Sequence, residues 1–352
     1  MSLLPYHKGN KTKFTNLLFQ LIRDNPKIRR RLRCPSCGSL DTLKWGVRNG
    51  VQRYKCRNCQ SLFSARRKEI SKSNRFIWFK KWVLGKMTVE DIAEISGYSS
   101  RQLHRWFDEY LDEYPTWHIN TNTPIFLLID GTYYCGHCLI VYRAENLKRT
   151  IYYRFTRSED DDEIASDLMN IRSMGYNVTG ITTDGGDNII RAVEYVYPDV
   201  PRQRCMVHVQ RECLSSITLH PRTPEGRMLK SLIMSLNDIR AHNDMMWWLS
   251  RYNLWVEENE EYVCEKACLP NSTRTYFVRN DLRKAYVHLR RAIPNLFEFI
   301  KHPGLPKTTN ALESFFGHIK DQLRLHRGLS ENRVDNFIKW YLYFNDEKKS
   351  KK

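Results

Sequence analysis

Two sets of residues have the types and spacing to do chemistry. Cys34-Pro-Ser-Cys37 and Cys56-Arg-Asn-Cys59 are two CxxC pairs separated by 18 residues, the spacing of a four-cysteine zinc site. Each CxxC sits on a tight turn, and two such turns supply tetrahedral thiolates to one ion. Four thiolates leave no open position, so this Zn²⁺ is expected to be structural. The second set is three carboxylates far apart in the chain. Asp130 follows the apolar run Ile125–Ile129, Asp184 follows Val178–Thr183, and Glu313 lies in the stretch Thr308–Lys320. If they converge, they cannot all stay charged without cations. Two Mg²⁺ or Mn²⁺ ions roughly 4 Å apart would supply that charge and clamp the attacking and leaving oxygens of an in-line displacement at a phosphodiester.

The elements that must position these acids can be read from periodicity. Leu312, Phe315, Phe316, Ile319 and Leu323 recur at helical spacing, so Glu313 stands beside the apolar face of a helix. Lys320, Arg324 and Arg327 return to its side and are expected to track phosphates. Short apolar runs at 125–129, 138–142 and 151–155 read as three strands, 161–174 as a helix, 178–183 as a fourth strand and 189–196 as a helix. Arg204 to His208 begins a fifth strand or the next helix. Three strands, a helix, a strand and a helix is the order of a ribonuclease H-like α/β fold. With the fourth strand beside the first, both aspartates emerge at one edge. The acids Glu159 to Glu163 sit at a helix start, where the helix dipole favours them, and are read as structural. Residues 213–302 read as helical without strand alternation. Trp247, Trp248 and Trp255 in that stretch are read as core packing in preference to base stacking. A helix over 334–344 and a polar, basic, disordered tail end the chain.

The front of the chain differs in charge. Residues 1–115 hold 24 Lys and Arg against 10 Asp and Glu, whereas 116–352 hold 33 against 29. That asymmetry reads as a nucleic-acid-binding end joined to a nearly balanced domain, with double-stranded DNA as partner. Phe14, Leu17, Leu18, Leu21 and Ile22 predict a short helix. Asn49-Gly50 predicts a hairpin turn between the cysteine pairs, with Arg48, Arg53, Lys55 and Arg57 along the hairpin. Thr88 with Asp91 reads as a capping box, Gly97 as a helix stop, and Ser99 or Ser100 as the next cap. Two short helices around a glycine turn predict a helix-turn-helix whose second helix offers Arg101, Gln102, His104 and Arg105 to a major groove. No run of 18 apolar residues and no signal-peptide pattern occur, so no membrane association is expected. The expected location is cytoplasmic and nucleoid-associated in a prokaryote, or nuclear in a eukaryote.

Four motifs in order then carry a resemblance: Ile129-Asp130-Gly131-Thr132, Thr183-Asp184-Gly185, Cys205-Met-Val-His208 and Asn310-Ala-Leu-Glu313. Together they resemble the DDE transposases of the Mutator-like group and its bacterial and archaeal insertion-sequence relatives, over about residues 31–345. The resemblance implies that Asp130, Asp184 and Glu313 bind catalytic Mg²⁺ or Mn²⁺, and that a helical domain is inserted before the glutamate. It also implies recognition of terminal inverted repeats, cleavage of element ends, joining of 3′-hydroxyls to target DNA, and a homodimer or larger assembly on DNA. Cys205 and His208 are expected to support the active site; a second zinc completed by Cys264 and Cys268 is the other reading. Asn310 either orients Glu313 or caps its helix. Cys135-Gly-His-Cys138 copies a redox motif without the strand–helix context that motif needs. The expected organisation is a basic helix over 1–30, a zinc ribbon over 31–66 and the helix-turn-helix over 67–115. A ribonuclease H-like catalytic domain follows over 116–212 and 303–345, with an all-helical insertion over 213–302 and a basic tail over 346–352. The rival readings are a non-catalytic DNA-binding regulator derived from a transposase, and a nuclease or resolvase of the same fold.

Overall fold

The computed structural model describes residues 32–48, 51–64, 72–117, 122–218, 220–269 and 272–350. The helix expected over 1–30 and the Asn49-Gly50 turn lie outside the described residues. The chain divides into two units, 1–74 and 75–352.

The first unit is a three-stranded antiparallel sheet, β1 (Thr42–Arg48), β2 (Val51–Cys56) and β3 (Leu62–Ser64). Both CxxC pairs sit on turns beside it. Gly38 N–H donates to the Cys34 carbonyl, and Cys56 N–H donates to the Ser61 carbonyl. The sheet has little apolar interior: β1 is mostly exposed, and Trp45, Val47, Val51 and Leu62 all face solvent. So small a sheet needs a staple in place of a core.

The second unit begins with helices α1 (Lys72–Leu84), α2 (Val89–Ser96) and α3 (Ser100–Leu111). The Thr88–Asp91 capping box forms, Gly97 takes φ +73° at the end of α2, and Ser99 caps α3. Next come β4 (Ile125–Tyr134), β5 (His137–Ala144), β6 (Arg149–Thr156), α4 (Asp161–Ser173), β7 (Val178–Thr183), α5 (Asp187–Val196) and β8 (Arg202–Arg204). The five strands form one sheet in the order β6-β5-β4-β7-β8. β4 to β6 are antiparallel, while β4, β7 and β8 run parallel. This is the strand order of a ribonuclease H-like sheet, with the fourth strand beside the first. Alternate residues Ile125, Leu127 and Ile129 of β4 join Ile140, Tyr142 and Ile181 in a core closed by Ile164 and Leu168 of α4 and Ile189 and Val193 of α5.

The chain continues through α6 (Met206–Ile217), α7 (Pro224–Met234), α8 (His242–Val263), β9 (Lys266–Cys268), β10 (Thr275–Phe277), α9 (Asn280–Ala292), α10 (Glu298–Lys301), α11 (Asn310–Leu325) and α12 (Glu331–Ser350). A second core forms around Val209, Leu229, Trp248, Trp255 and Tyr286. Trp248 and Trp255 are buried, and their indole N–H groups donate to the Leu232 and Glu225 carbonyls. Trp247, expected to pack in the core, is instead exposed, with Arg251 over its ring, because it stands one step round the helix from the buried Trp248.

Three further expectations need correction. Residues 213–302 are not all helical, because β9 and β10 pair as an antiparallel hairpin. Strands of three residues are too short to display alternation. The tail expected to be disordered is helical to Ser350. Asp346 is buried there, and its Oδ2 accepts the Thr150 N–H of β6 at 2.8 Å. Arg327 lies beyond the end of α11, capped at His326, so it does not share the Glu313 helix.

Candidate active site

Asp130 and Asp184 are brought together by sheet register. Parallel pairing of β4 with β7 ends at Ile129↔Thr183, so the next residue on each strand is an aspartate. Adjacent strands lie about 4.8 Å apart, which makes the two acids neighbours. β4 itself runs on to Tyr134 against β5, so Asp130 marks the end of the parallel pairing and not the end of the strand. Asp130 is 6% exposed. Its Oδ1 accepts the Gly131 N–H at 2.9 Å, and Asp184 Oδ1 accepts the Gly186 N–H at 3.0 Å. Burial, then the Asp184 charge, pushes the Asp130 carboxyl up to about 7. Gly185 turns at φ +93°, and a Cβ there would stand 2.3 Å from Arg204 Nε.

Glu313 arrives on α11, one turn from the helix start. It lies close enough to Asp130 for its charge to raise the Asp130 pKa further. Its carboxylate is held from α6: the Arg211 guanidinium donates to both oxygens, with Nη2 2.9 Å from Oε2, and His208 Nε2 is 3.4 Å from Oε1. Among the described residues, the three acids do not all close to within 4.8 Å of one another, whereas the four ribbon cysteines do.

Behind Glu313, Cys205, His208 and Thr309 form one network. Cys205 is buried at the start of α6. Its Sγ accepts the Thr309 N–H at 3.3 Å and the Thr309 hydroxyl at 3.4 Å, and Thr309 Oγ1 lies 3.3 Å from His208 Nδ1. Nδ1–H to Oγ1 and Oγ1–H to Sγ is a direction that satisfies every member. The hydrogen bond to Cys205 raises the His208 pKa to about 9, against the effect of burial; the charges of Cys205, Asp130 and Asp184 add to the rise. Burial pushes the Cys205 thiol up, but hydrogen bonds from His208 and Thr309 outweigh it and leave the thiol below its ordinary value. His208 therefore presents an imidazolium to the carboxylates.

The structure thus brings together Asp130, Asp184, Glu313, Cys205 and His208. Thr309, not Asn310, is the N-cap of α11, and Asn310 is exposed. Three neighbours escaped the sequence reading. Arg211 follows Cys205 and His208 at helical steps of three, which a longer motif would have included. Thr309 carries no pattern of its own. Glu159 was grouped with structural acids. Its neighbours do serve the fold: Asp160 caps α4, Asp161 pairs with Arg191, and Glu163 accepts the Thr156 hydroxyl. Yet a Cβ on Gly131 would stand 2.1 Å from Glu159 Oε1, and burial, then the Asp184 charge, raises the Glu159 pKa. The glycine after Asp130 was the available signal.

Other candidates lie apart. Arg101, His104 and Arg105 are exposed on α3 and Gln102 partly so, opposite the buried Leu103, Trp106 and Phe107. Lys320 is partly buried on α11, and Arg324 is exposed and pairs with Asp321. Among the described residues, Cys264 and Cys268 join no cluster of three or more metal-binding groups. Cys34 Sγ is 3.6 Å from Cys59 Sγ, Cys37 Sγ is 3.6 Å from Cys56 Sγ, and all four lie within 4.8 Å. Tetrahedral zinc with bonds of about 2.3 Å has sulfur–sulfur edges of roughly 3.8 Å. The four cysteines are therefore placed to hold one zinc ion. No described helix is long and apolar enough to cross a membrane.

No family model matches the chain. The chain is similar to the transposase for insertion sequence element IS905 of Lactococcus lactis subsp. lactis, 23% identical over 149 residues. The match covers 38% of this chain and 38% of that protein's length. Among solved structures, the catalytic core domain of BIV integrase aligns at 13% identity and a TM-score of 0.20, covering 40% of this chain and 99% of that one. At that score the strand order above remains the ground for the fold. The chain is distantly similar to an insertion-sequence transposase, on a sheet of ribonuclease H-like order.

Proposed function

We propose that this chain is a DDE-type transposase that cleaves the ends of an insertion sequence and joins 3′-hydroxyls to target DNA. The observation that carries the reading is the meeting of Asp130 and Asp184 where the parallel pairing stops, with Glu313 brought within electrostatic range by α11. A buried aspartate with a raised pKa beside a second aspartate is a site that favours cations. Hard carboxylate oxygens suit Mg²⁺ or Mn²⁺. When bound, such ions supply Lewis-acid stabilisation of the phosphodiester under attack. Asp130 and Asp184 would hold the ions, and Glu313 would complete the set on leaving Arg211. His208, locked by Thr309 and Cys205, holds positive charge against the site and orients Glu313. Of the two readings offered for Cys205 and His208, this is the one the network supports.

The same reading gives the front end to DNA. The zinc ribbon, and the exposed face of α3 with Arg101, Gln102, His104 and Arg105, bind the terminal repeats, and Lys320, Arg324 and Arg327 hold flanking phosphates. Domain limits follow those expected from sequence, save that the tail belongs to α12. Two ends are paired by a homodimer or larger assembly. The test uses duplexes carrying the DNA that flanks the coding sequence, with Mg²⁺, and maps nicks to the nucleotide. Asp130→Ala, Asp184→Ala and Glu313→Ala each abolish cleavage and keep end binding. Full cleavage by any of them refutes the assignment. Transfer of labelled ends to a second duplex separates a transposase from a simple nuclease.

A further inference from the structure

Arg211 stands one turn beyond His208 on α6, and its guanidinium engages both oxygens of Glu313. His208 Nε2 approaches Oε1 as well. A divalent ion at Glu313 therefore competes with Arg211 for the same two oxygens. The Arg211 side chain is 59% exposed, so ligands reach it, and an ion pair in contact with water is easily exchanged. A guanidinium fork fits a phosphate as well as it fits a carboxylate.

Charge gives the exchange its direction. Without metal, three acids need a counter-cation, and Arg211 supplies one. Divalent ions bring that charge themselves, and an incoming DNA phosphate then becomes the better partner for the guanidinium.

We infer that Arg211 is an exchange residue: it clamps Glu313 while the carboxylate site holds no cation, and grips a DNA phosphate once Glu313 turns to the cations. This rests on the metal-dependent cleavage proposed above. It adds a DNA-binding residue that also gates assembly of the acidic site.

The test measures Mn²⁺ binding to the whole chain without DNA, from the loss of the free Mn²⁺ paramagnetic signal. It also measures Mn²⁺-dependent nicking of a supercoiled plasmid carrying the DNA that flanks the coding sequence. Arg211→Gln binds Mn²⁺ roughly two- to fivefold tighter, because an exposed ion pair no longer has to be broken. The same variant nicks at least about tenfold more slowly, the loss expected for a charge-assisted hydrogen bond. Arg211→Lys keeps the charge but not the fork, and falls between the two in both assays. Thermal melting checks that Arg211→Gln is folded; if it is not, Arg211→Lys carries the same two readings. Unchanged or weaker Mn²⁺ affinity, or nicking at the unaltered rate, overturns the inference. Mn²⁺ binding that Asp130→Asn does not reduce overturns instead the metal reading beneath it.

Discussion

The cysteine cluster and the carboxylate cluster are both built from like groups that repel when charged, yet they are assembled in opposite ways. The four cysteines lie within 26 residues of sequence and within 4.8 Å in space, on turns fixed by a hairpin. The three acids span more than 180 residues, and one of them is held away by Arg211 and His208. A cluster that only stabilises can be closed completely. On the proposed function the acidic cluster has to admit a substrate, and Arg211 is a partner that can leave. Burial divides along the same line: around the thiols there is almost no apolar core, while Asp130 sits at the edge of a large one.

The two clusters should therefore fail differently. Removing zinc by chelation, or replacing Cys56 with Ser, is expected to unfold β1 to β3 outright, with the loss of about one zinc per chain. Amide exchange should rise throughout residues 42–64 while the β4 to β8 sheet stays protected. A ribbon that stays protected without zinc would erase the contrast. Asp130→Ala should do the reverse, lowering cleavage by about a thousandfold or more with both units still folded.

A subtler effect concerns the strain stored at Asp130. Its folded pKa of about 7 lies above its ordinary 3.8, so the folded chain holds a proton that the unfolded chain releases. The contribution of Asp130 to metal-free stability should then be greatest below pH 4, fall as pH rises through 7, and level off above it. Asp130→Asn removes that slope. Its stabilising effect should be small near pH 4 and grow with pH to at most about 4 kcal/mol by pH 8, readable by denaturant titration. Saturating Mg²⁺ should give a similar gain to the unaltered chain and none to the variant. The smallest effect is expected at Thr309→Val, which removes the hydroxyl that touches both His208 Nδ1 and Cys205 Sγ. It should cost about 1 kcal/mol, read by denaturant titration.

What could be read from sequence was what is local. Asp130 and Asp184 end apolar runs, each before a glycine, and the CxxC pairs announce themselves by spacing. Glu313 was legible through its motif. Arg211, Thr309 and Glu159 were not, because their roles depend on where α6, α11 and the α4 entrance meet after folding. The β9–β10 hairpin escaped because its strands are too short for a period. The extension of α12 escaped because Asp346 is anchored by Thr150, almost two hundred residues earlier.

The C-terminal helix also settles how the front helices can be handled. Phe76 and Phe79 of α1 and Tyr110 of α3 form one ring cluster with Trp340 and Phe344 of α12. Trp340 donates its indole N–H to the Tyr110 carbonyl, and Arg333 bonds Asp108. Two of those five rings therefore come from α12, more than two hundred residues later in the chain. A fragment stopping after α3 would leave Phe76, Phe79 and Tyr110 without their partners on α12 and prone to aggregate. The helices that carry Arg101 and Arg105 are not a detachable module but one end of a lever whose other end is bolted to β6.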